Sequence, residues 1–210
     1  TKKLLSETFK IKSSKISIVE PGIEKFKKFK KIPSAKLNLL TCGSIIERKK
    51  YDYLIKEIKN IENIQVNIVG DVSRESKYTN KIKKLISNNK LKNKVILHGK
   101  ISQLKLESLY SNSDFYISTS EYEGFGMSLA NAVLSKLPII SYKTSTILKT
   151  IGKSGVLYFD NHKKDTLKKL INENCFNKKK YKFLKKNISN KKYLTNYQSA
   201  KLFVKAIDYA

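Results

Sequence analysis

The sequence predicts an α/β protein built on a Rossmann-like, doubly wound parallel sheet with helices on both faces. Three observations carry that prediction. From Leu37 onward a unit recurs: an apolar run of three or four residues, a turn of glycine or polar residues, then an amphipathic stretch at helical spacing. Strands alternating with helices call for parallel βαβ crossovers. The chain has 210 residues and is 40% hydrophobic, enough for one well-cored domain and short of two. Finally, polar or glycine-bearing turns follow the first four apolar runs, at Gly43-Ser44, Gly70-Asp71, His98-Gly99 and the loop around Glu123. In such a sheet ligands bind at the carboxyl ends of the strands, where these four turns would converge.

Taken in order, residues 1–35 form a lead-in segment. Residues 15–20 read as a short strand ending at Pro21-Gly22, and the lysine run 25–31 reads as a solvated loop. The core spans 36–175, with strands expected at 37–40, 66–69, 95–97, 115–117, 138–140 and 156–158. Helical spacing marks 53–61, 82–89 and a segment opening near Met127. Beyond Tyr158 the pattern turns helical, over 164–171, 181–188 and 197–207, and residues 176–210 form C-terminal helices.

Composition narrows the function. The formal charge is +27 from 44 basic and 17 acidic residues, which invites a polyanion partner. Only Arg48 and Arg74 are arginines, however, leaving 44 − 2 = 42 lysines. Arginine is the residue that recognises phosphates and bases bidentately, so no nucleic-acid partner is expected. The lysines are scattered and read chiefly as solvated helix faces; peripheral contact with an anionic membrane surface stays open. Cys42 and Cys175 make neither a disulfide framework nor a zinc site, pointing to a reduced, cytoplasmic setting. No apolar run approaches the roughly 18 residues of a membrane span, and no signal peptide is visible.

The stretch Ser118-Thr-Ser-Glu-Tyr-Glu-Gly-Phe-Gly-Met-Ser-Leu-Ala-Asn-Ala132 is the centre of the design. It runs from a buried strand through Glu121, Glu123 and two glycines into a helix. Gly124 and Gly126 remove side-chain bulk where backbone approaches a ligand, and the first N–H groups of the helix add the positive end of its dipole. That arrangement suits a phosphate.

Ser120-x-x-Glu-Gly-Phe-Gly followed by a small-residue helix and Pro138-Ile-Ile resembles the donor-site signature of glycosyltransferase family 4, the retaining group 1 enzymes of the GT-B fold. The resemblance spans most of residues 15–170. It implies that 36–175 is a nucleotide-sugar-binding domain, one half of a GT-B pair, and that 1–35 leads in from an N-terminal domain absent from a chain that opens on Thr1. Glu123 would face the transferred sugar and serve as the catalytic-site carboxylate. Gly124, Phe125 and Gly126, with the backbone N–H groups of Met127, Ser128 and Leu129, would hold the diphosphate. Gly43, Ser44 and Lys49, within Thr41-Cys-Gly-Ser-Ile-Ile-Glu-Arg-Lys-Lys50, resemble the stretch that brackets the same diphosphate, and Lys100-Ile101 lies where the base is contacted.

Several positions depart from the family pattern. Ser44 stands where the family has an arginine, so a cation is missing unless Arg48 or Lys50 replaces it. Asn131 stands where a second glutamate would clamp the ribose. Lys136 replaces a glycine, Thr144-Ser145 a glycine pair, and Leu148 a further glutamate. The resemblance implies metal-independent transfer with no cofactor, from a nucleotide-diphospho-sugar such as a UDP-sugar. The acceptor, saccharide, lipid or other, would be held by the N-terminal domain, without which this chain would bind and not transfer. Two rivals stay open: a degenerate module of the same fold that has lost donor binding, and a basic domain that binds polyanions or membrane surfaces. His98, His162 and Cys42 read as structural, with His162 the more exposed histidine. A Walker loop is excluded by Ile147, a dinucleotide fingerprint by Leu129, and no Asp-x-Asp is present.

Overall fold

The computed structural model describes residues 2–208, which divide into two compact units. One draws on both ends of the chain, up to Glu24 and from Lys192 onward; the other is Lys25–Lys191. The elements begin with α1 (Lys2–Phe9), β1 (Leu37–Cys42), α2 (Tyr51–Ile58), β2 (Ile64–Val69), α3 (Ser76–Asn88) and β3 (Val95–Gly99). There follow α4 (Gln103–Asn112), β4 (Phe115–Ser118), α5 (Met127–Leu134), β5 (Ile139–Tyr142), α6 (Ser145–Ile151) and β6 (Val156–Phe159). The chain ends with α7 (Thr166–Asn174), α8 (Lys178–Lys186) and α9 (Asn196–Asp208).

All six strands of the second unit join one parallel sheet in the order β3-β2-β1-β4-β5-β6. Each strand matches an expected apolar run. The order reverses between β1 and β4, the switch point at which a doubly wound sheet opens a crevice at its carboxyl edge. Successive strand residues point to opposite faces. Leu39, Phe115 and Ile117 enter a core completed by Leu54 and Ile58 of α2, Ile82 of α3, Ile171 of α7 and Leu184 of α8. Leu40 and Tyr116 are also buried but face the other side, where Tyr116 stacks on Tyr110 of α4 at 5.7 Å. Helices therefore cover both faces.

Three helices are not legible from periodicity: α1, α4 and α6. Ser102 caps α4 by accepting from the Lys105 N–H, and Thr144 caps α6 by accepting from the Ile147 N–H. Thr144 thus serves as a helix cap where the family pattern has a glycine. The strand expected at 15–20 does not form. A 3₁₀ turn occupies Ser13–Lys15 and residues 16–36 carry no helix or strand. Its alternating pattern finds no sheet edge to join, and Ile18 is left exposed. The segment is held instead by hydrogen bonds from the Ile23 N–H to the Leu194 carbonyl and from the Ser199 hydroxyl to the Glu20 carbonyl. The loop expected at 25–31 is present. Lys31 is its exception, paired with Asp114 at 2.5 Å.

Candidate active site

A buried ion pair sits at the carboxyl edge beside the switch point. The Lys49 amine donates to Glu123 Oε1 at 2.6 Å, and both residues are only 8% exposed. Lys49 ends a 3₁₀ turn after β1, and Glu123 lies in the loop after β4. Arg48 approaches from the open side, its Nη1 donating to the Tyr122 carbonyl and lying 3.7 Å from Glu123 Oε2. Of the two candidate substitutes for the cation missing at Ser44, Arg48 is the one that meets Tyr122 and Glu123. Lys50 instead pairs with Glu121 at 3.2 Å, in the solvated position expected of that glutamate.

Backbone and side-chain bonds fix the pair. The Thr119 hydroxyl donates to the Lys49 carbonyl at 2.7 Å, and the Glu121 N–H donates to the Arg48 carbonyl at 3.0 Å. His162 supports this from below: its Nε2 is 2.9 Å from the Thr119 carbonyl, which can only accept, so that nitrogen carries the proton. The ring is wedged against Tyr142 at 4.3 Å, Tyr53 at 4.9 Å and Phe159 at 5.8 Å. The open position expected of His162 does not form: it is half-buried like His98, because the loop after β6 carries it into an aromatic cluster. A lone histidine between polar residues gives no sign of that cluster. Sequence reasoning also misses Thr119 as a positioning residue.

Gly43 closes the other wall. A Cβ there would fall 2.8 Å from Lys49 Cε and 3.0 Å from its Nζ, so the lysine reaches Glu123 by crossing the face of a glycine. Behind it, a Cβ on Gly70 would lie 1.9 Å from the Gly43 carbonyl oxygen. The two loops are bonded through the Gly43 N–H to the Val69 carbonyl and the Ile45 N–H to the Asp71 carbonyl. Ser44 is half-buried on this wall.

The start of α5 faces the same edge. Gly126 caps it with a left-handed backbone, φ 86 and ψ 49, and offers no side chain to the helix amides. Its carbonyl accepts from the Ala130 N–H, so the N–H groups of Met127, Ser128 and Leu129 precede the first intrahelical bond. Leu129 is buried and contributes only backbone, whereas Met127 is exposed. The Phe125 carbonyl accepts from the Thr150 hydroxyl at 2.6 Å, and the Ser128 carbonyl from the Tyr110 hydroxyl at 2.8 Å, anchoring the turn and first coil of the helix to α6 and α4. A Cβ on Gly124 would meet nothing within 4 Å, so the loop has open space before it. Asn131 is half-buried on α5.

Lys100 and Ile101 lie farther along the edge, after β3. Lys100 is exposed and pairs with Asp71 at 3.0 Å. The Ser73 hydroxyl and N–H, with Lys100, hold the Asp71 carboxyl well below the usual range. His98 Nε2 meets Asn67 Oδ1 at 2.8 Å, and burial followed by the charge of Lys105 lowers its pKa. Burial pushes the Cys42 thiol up to about 12, against smaller opposing effects of Tyr110 and Lys49, so it is no nucleophile at neutral pH. A cavity of about 630 Å³ opens beside α2, lined in part by Lys50, Glu121 and His162, and so touches only the flank of this site. Among the described residues no group of three or more His, Cys, Asp or Glu is placed to hold a metal ion.

Comparison with known proteins gives this geometry its family. Residues 22–191, more than half of the chain, match the family described as Glycosyl transferases group 1. The chain belongs to that family. The GtfA subunit of UDP-N-acetylglucosamine–peptide N-acetylglucosaminyltransferase from Streptococcus agalactiae is 33% identical over 103 residues, covering 49% of this chain and 20% of the relative. Among solved structures, a glycosyltransferase from Rickettsia africae superposes with a TM-score of 0.78 at 22% identity, over 99% of this chain and 61% of that one. Anabaena HepE, solved with UDP and glucose, gives 0.72 at 16% identity, over 83% and 48%. The fold of this group 1 chain is therefore the Rossmann-like sheet of GT-B glycosyltransferases. The chain spans less than two thirds of the length of these relatives.

Within the group 1 frame, the structure brings Gly43, Ser44, Lys49, Glu123 and the α5 amides of residues 127–129 to one edge. Lys136, where the family pattern has a glycine, takes a left-handed backbone, φ 54. Its amine compensates by donating to the Ser189 carbonyl and Asn190 Oδ1.

Proposed function

We propose that this chain is the donor-binding half of a retaining, metal-independent glycosyltransferase of family-4 type that takes a nucleotide-diphospho-sugar, UDP being the favoured nucleotide. The single observation that carries the reading is the buried Lys49–Glu123 pair set beside Gly43 and the bare amino end of α5. Donor binding exchanges partners: Lys49 moves from Glu123 to the diphosphate, and Glu123 accepts from sugar hydroxyls. The amides of Met127, Ser128 and Leu129 supply the remaining donors, and with Lys49 and Arg48 they balance the charge of the leaving diphosphate without a cation cofactor. The relatives point the same way: GtfA is named for UDP-N-acetylglucosamine, and HepE was solved with UDP. Acceptor binding belongs to a second domain, and transfer requires both.

Calorimetric titration with UDP, GDP and their sugars tests this. Saturable binding that prefers one nucleotide is expected. Lys49→Ala should weaken it about 10- to 100-fold, the worth of one charge-assisted contact. An unchanged affinity in folded Lys49→Ala would overturn the site. Absence of any binding by folded wild-type protein, persisting when an N-terminal domain is restored, would establish the degenerate module, to which Ser44, Asn131 and Leu148 point.

A further inference from the structure

A second chemistry occupies the opposite edge of the same sheet. The helix α8 reads Lys178-Lys-Lys-Tyr-Lys-Phe-Leu-Lys-Lys186, six lysines in nine residues. Its inner stripe is spaced for a helix: Leu184 and, just beyond the helix, Ile188 are buried, and Tyr181 packs edge-on to Phe115 at 5.6 Å. At about 100° per residue the opposite side carries Lys179, Lys182, Phe183 and Lys186. Phe183 is 64% exposed there, in the middle of the lysines, and Phe176 just before the helix is also exposed. Among the described residues none of the six lysines has a carboxylate within ion-pair reach.

The lysine loop before β1 abuts this helix. Lys31 and Lys185 both lie 5.7 Å from the centre of the Tyr181 ring. Phe29 and Ile32 of that loop are exposed, yet its backbone is pinned, the Phe29 N–H donating to Ser111 Oγ and the Ile32 N–H to Asn112 Oδ1. These partners sit at the end of α4, just before β4, and Phe115 is the first residue of β4. The loop and α8 therefore meet at the amino edge of the sheet, with Glu123 at the carboxyl edge. Their lysines are not available to a donor diphosphate.

We infer that this face docks the protein on an anionic phospholipid bilayer, its lysines against head-group phosphates and Phe183 inserted at the acyl boundary. The face has no arginine, the residue suited to bidentate reading of nucleic acid, and its exposed apolar members are of the kind that partition into an interface. No helix among the described residues is long and apolar enough to cross a membrane.

The chain has no tryptophan, so Phe183→Trp creates a single reporter at the anchor. Its emission should shift to the blue on vesicles of phosphatidylcholine containing about 30% phosphatidylglycerol, and not on phosphatidylcholine alone. In vesicle co-sedimentation, Lys179→Gln/Lys182→Gln/Lys186→Gln should lose affinity on the order of 100-fold. Phe183→Ser should lose about five- to tenfold. The matched charge change Lys77→Gln/Lys83→Gln/Lys84→Gln on α3 should cost much less, and circular dichroism and UDP titration should be unchanged in all of them. An unshifted emission from the Phe183→Trp variant, equal losses from the two triple variants, or tighter retention on duplex DNA than on vesicles would each overturn the inference.

Discussion

A lysine amine buried beside a carboxylate is an expensive arrangement unless each partner is needed elsewhere, because desolvation offsets much of the mutual attraction. Lys49 and Glu123 are held together by Thr119 and His162 from below and by Gly43 at the side, so the pair is positioned before any ligand arrives. Asn131 is the neighbouring residue with something to gain. It lies on α5 in place of a family glutamate, and a neutral amide makes a weaker bond to ribose hydroxyls than a carboxylate. Asn131→Glu is expected to tighten UDP binding about five- to tenfold, read by the same titration. A loss of affinity would show that the helix presents this position differently from the family pattern.

Among the elements, the two loops after β1 and β2 are the most tightly fitted. Gly70→Ala drives a methyl into the Gly43 carbonyl, a backbone atom that cannot swing aside. It is expected to destabilise the chain by about 3 kcal/mol in urea denaturation and to weaken UDP binding by displacing the Gly43–Ser44 wall. That closeness is hidden in the sequence, where Gly70-Asp71 reads as one more turn. The six strands are legible because each is a short apolar run with a turn behind it. α4 is not, since its sequence Gln-Leu-Lys-Leu-Glu-Ser-Leu-Tyr-Ser-Asn spaces leucines at two and three residues and leaves Leu104 exposed. The site is legible where glycines, a glutamate and a helix start share one stretch. It is hidden where it depends on tertiary approach: Arg48 on Glu123, and His162 on Thr119. The strand expected at 15–20 fails for the same reason in reverse, a correct local pattern with no neighbour to pair.

For the molecule as a whole, acid stability should carry the signature of His98. Burial and Lys105 hold its folded pKa below the ordinary 6.5. The unfolded chain therefore takes up the proton first as pH falls. The stability this histidine contributes is complete above about 6.5 and is lost as pH drops from there through the folded value. Urea denaturation at a series of pH values should show that decline, and His98→Gln should flatten it; an identical slope in the variant would assign the decline to other groups. The pairing of lysines also differs between the site and α8. At the carboxyl edge Lys49, Lys50 and Lys100 each have a carboxylate partner, while among the described residues the lysines of α8 at the amino edge have none. On the docking inferred above, α8 meets the anionic surface first, so the crevice beside Glu123 at the opposite edge is left open to water.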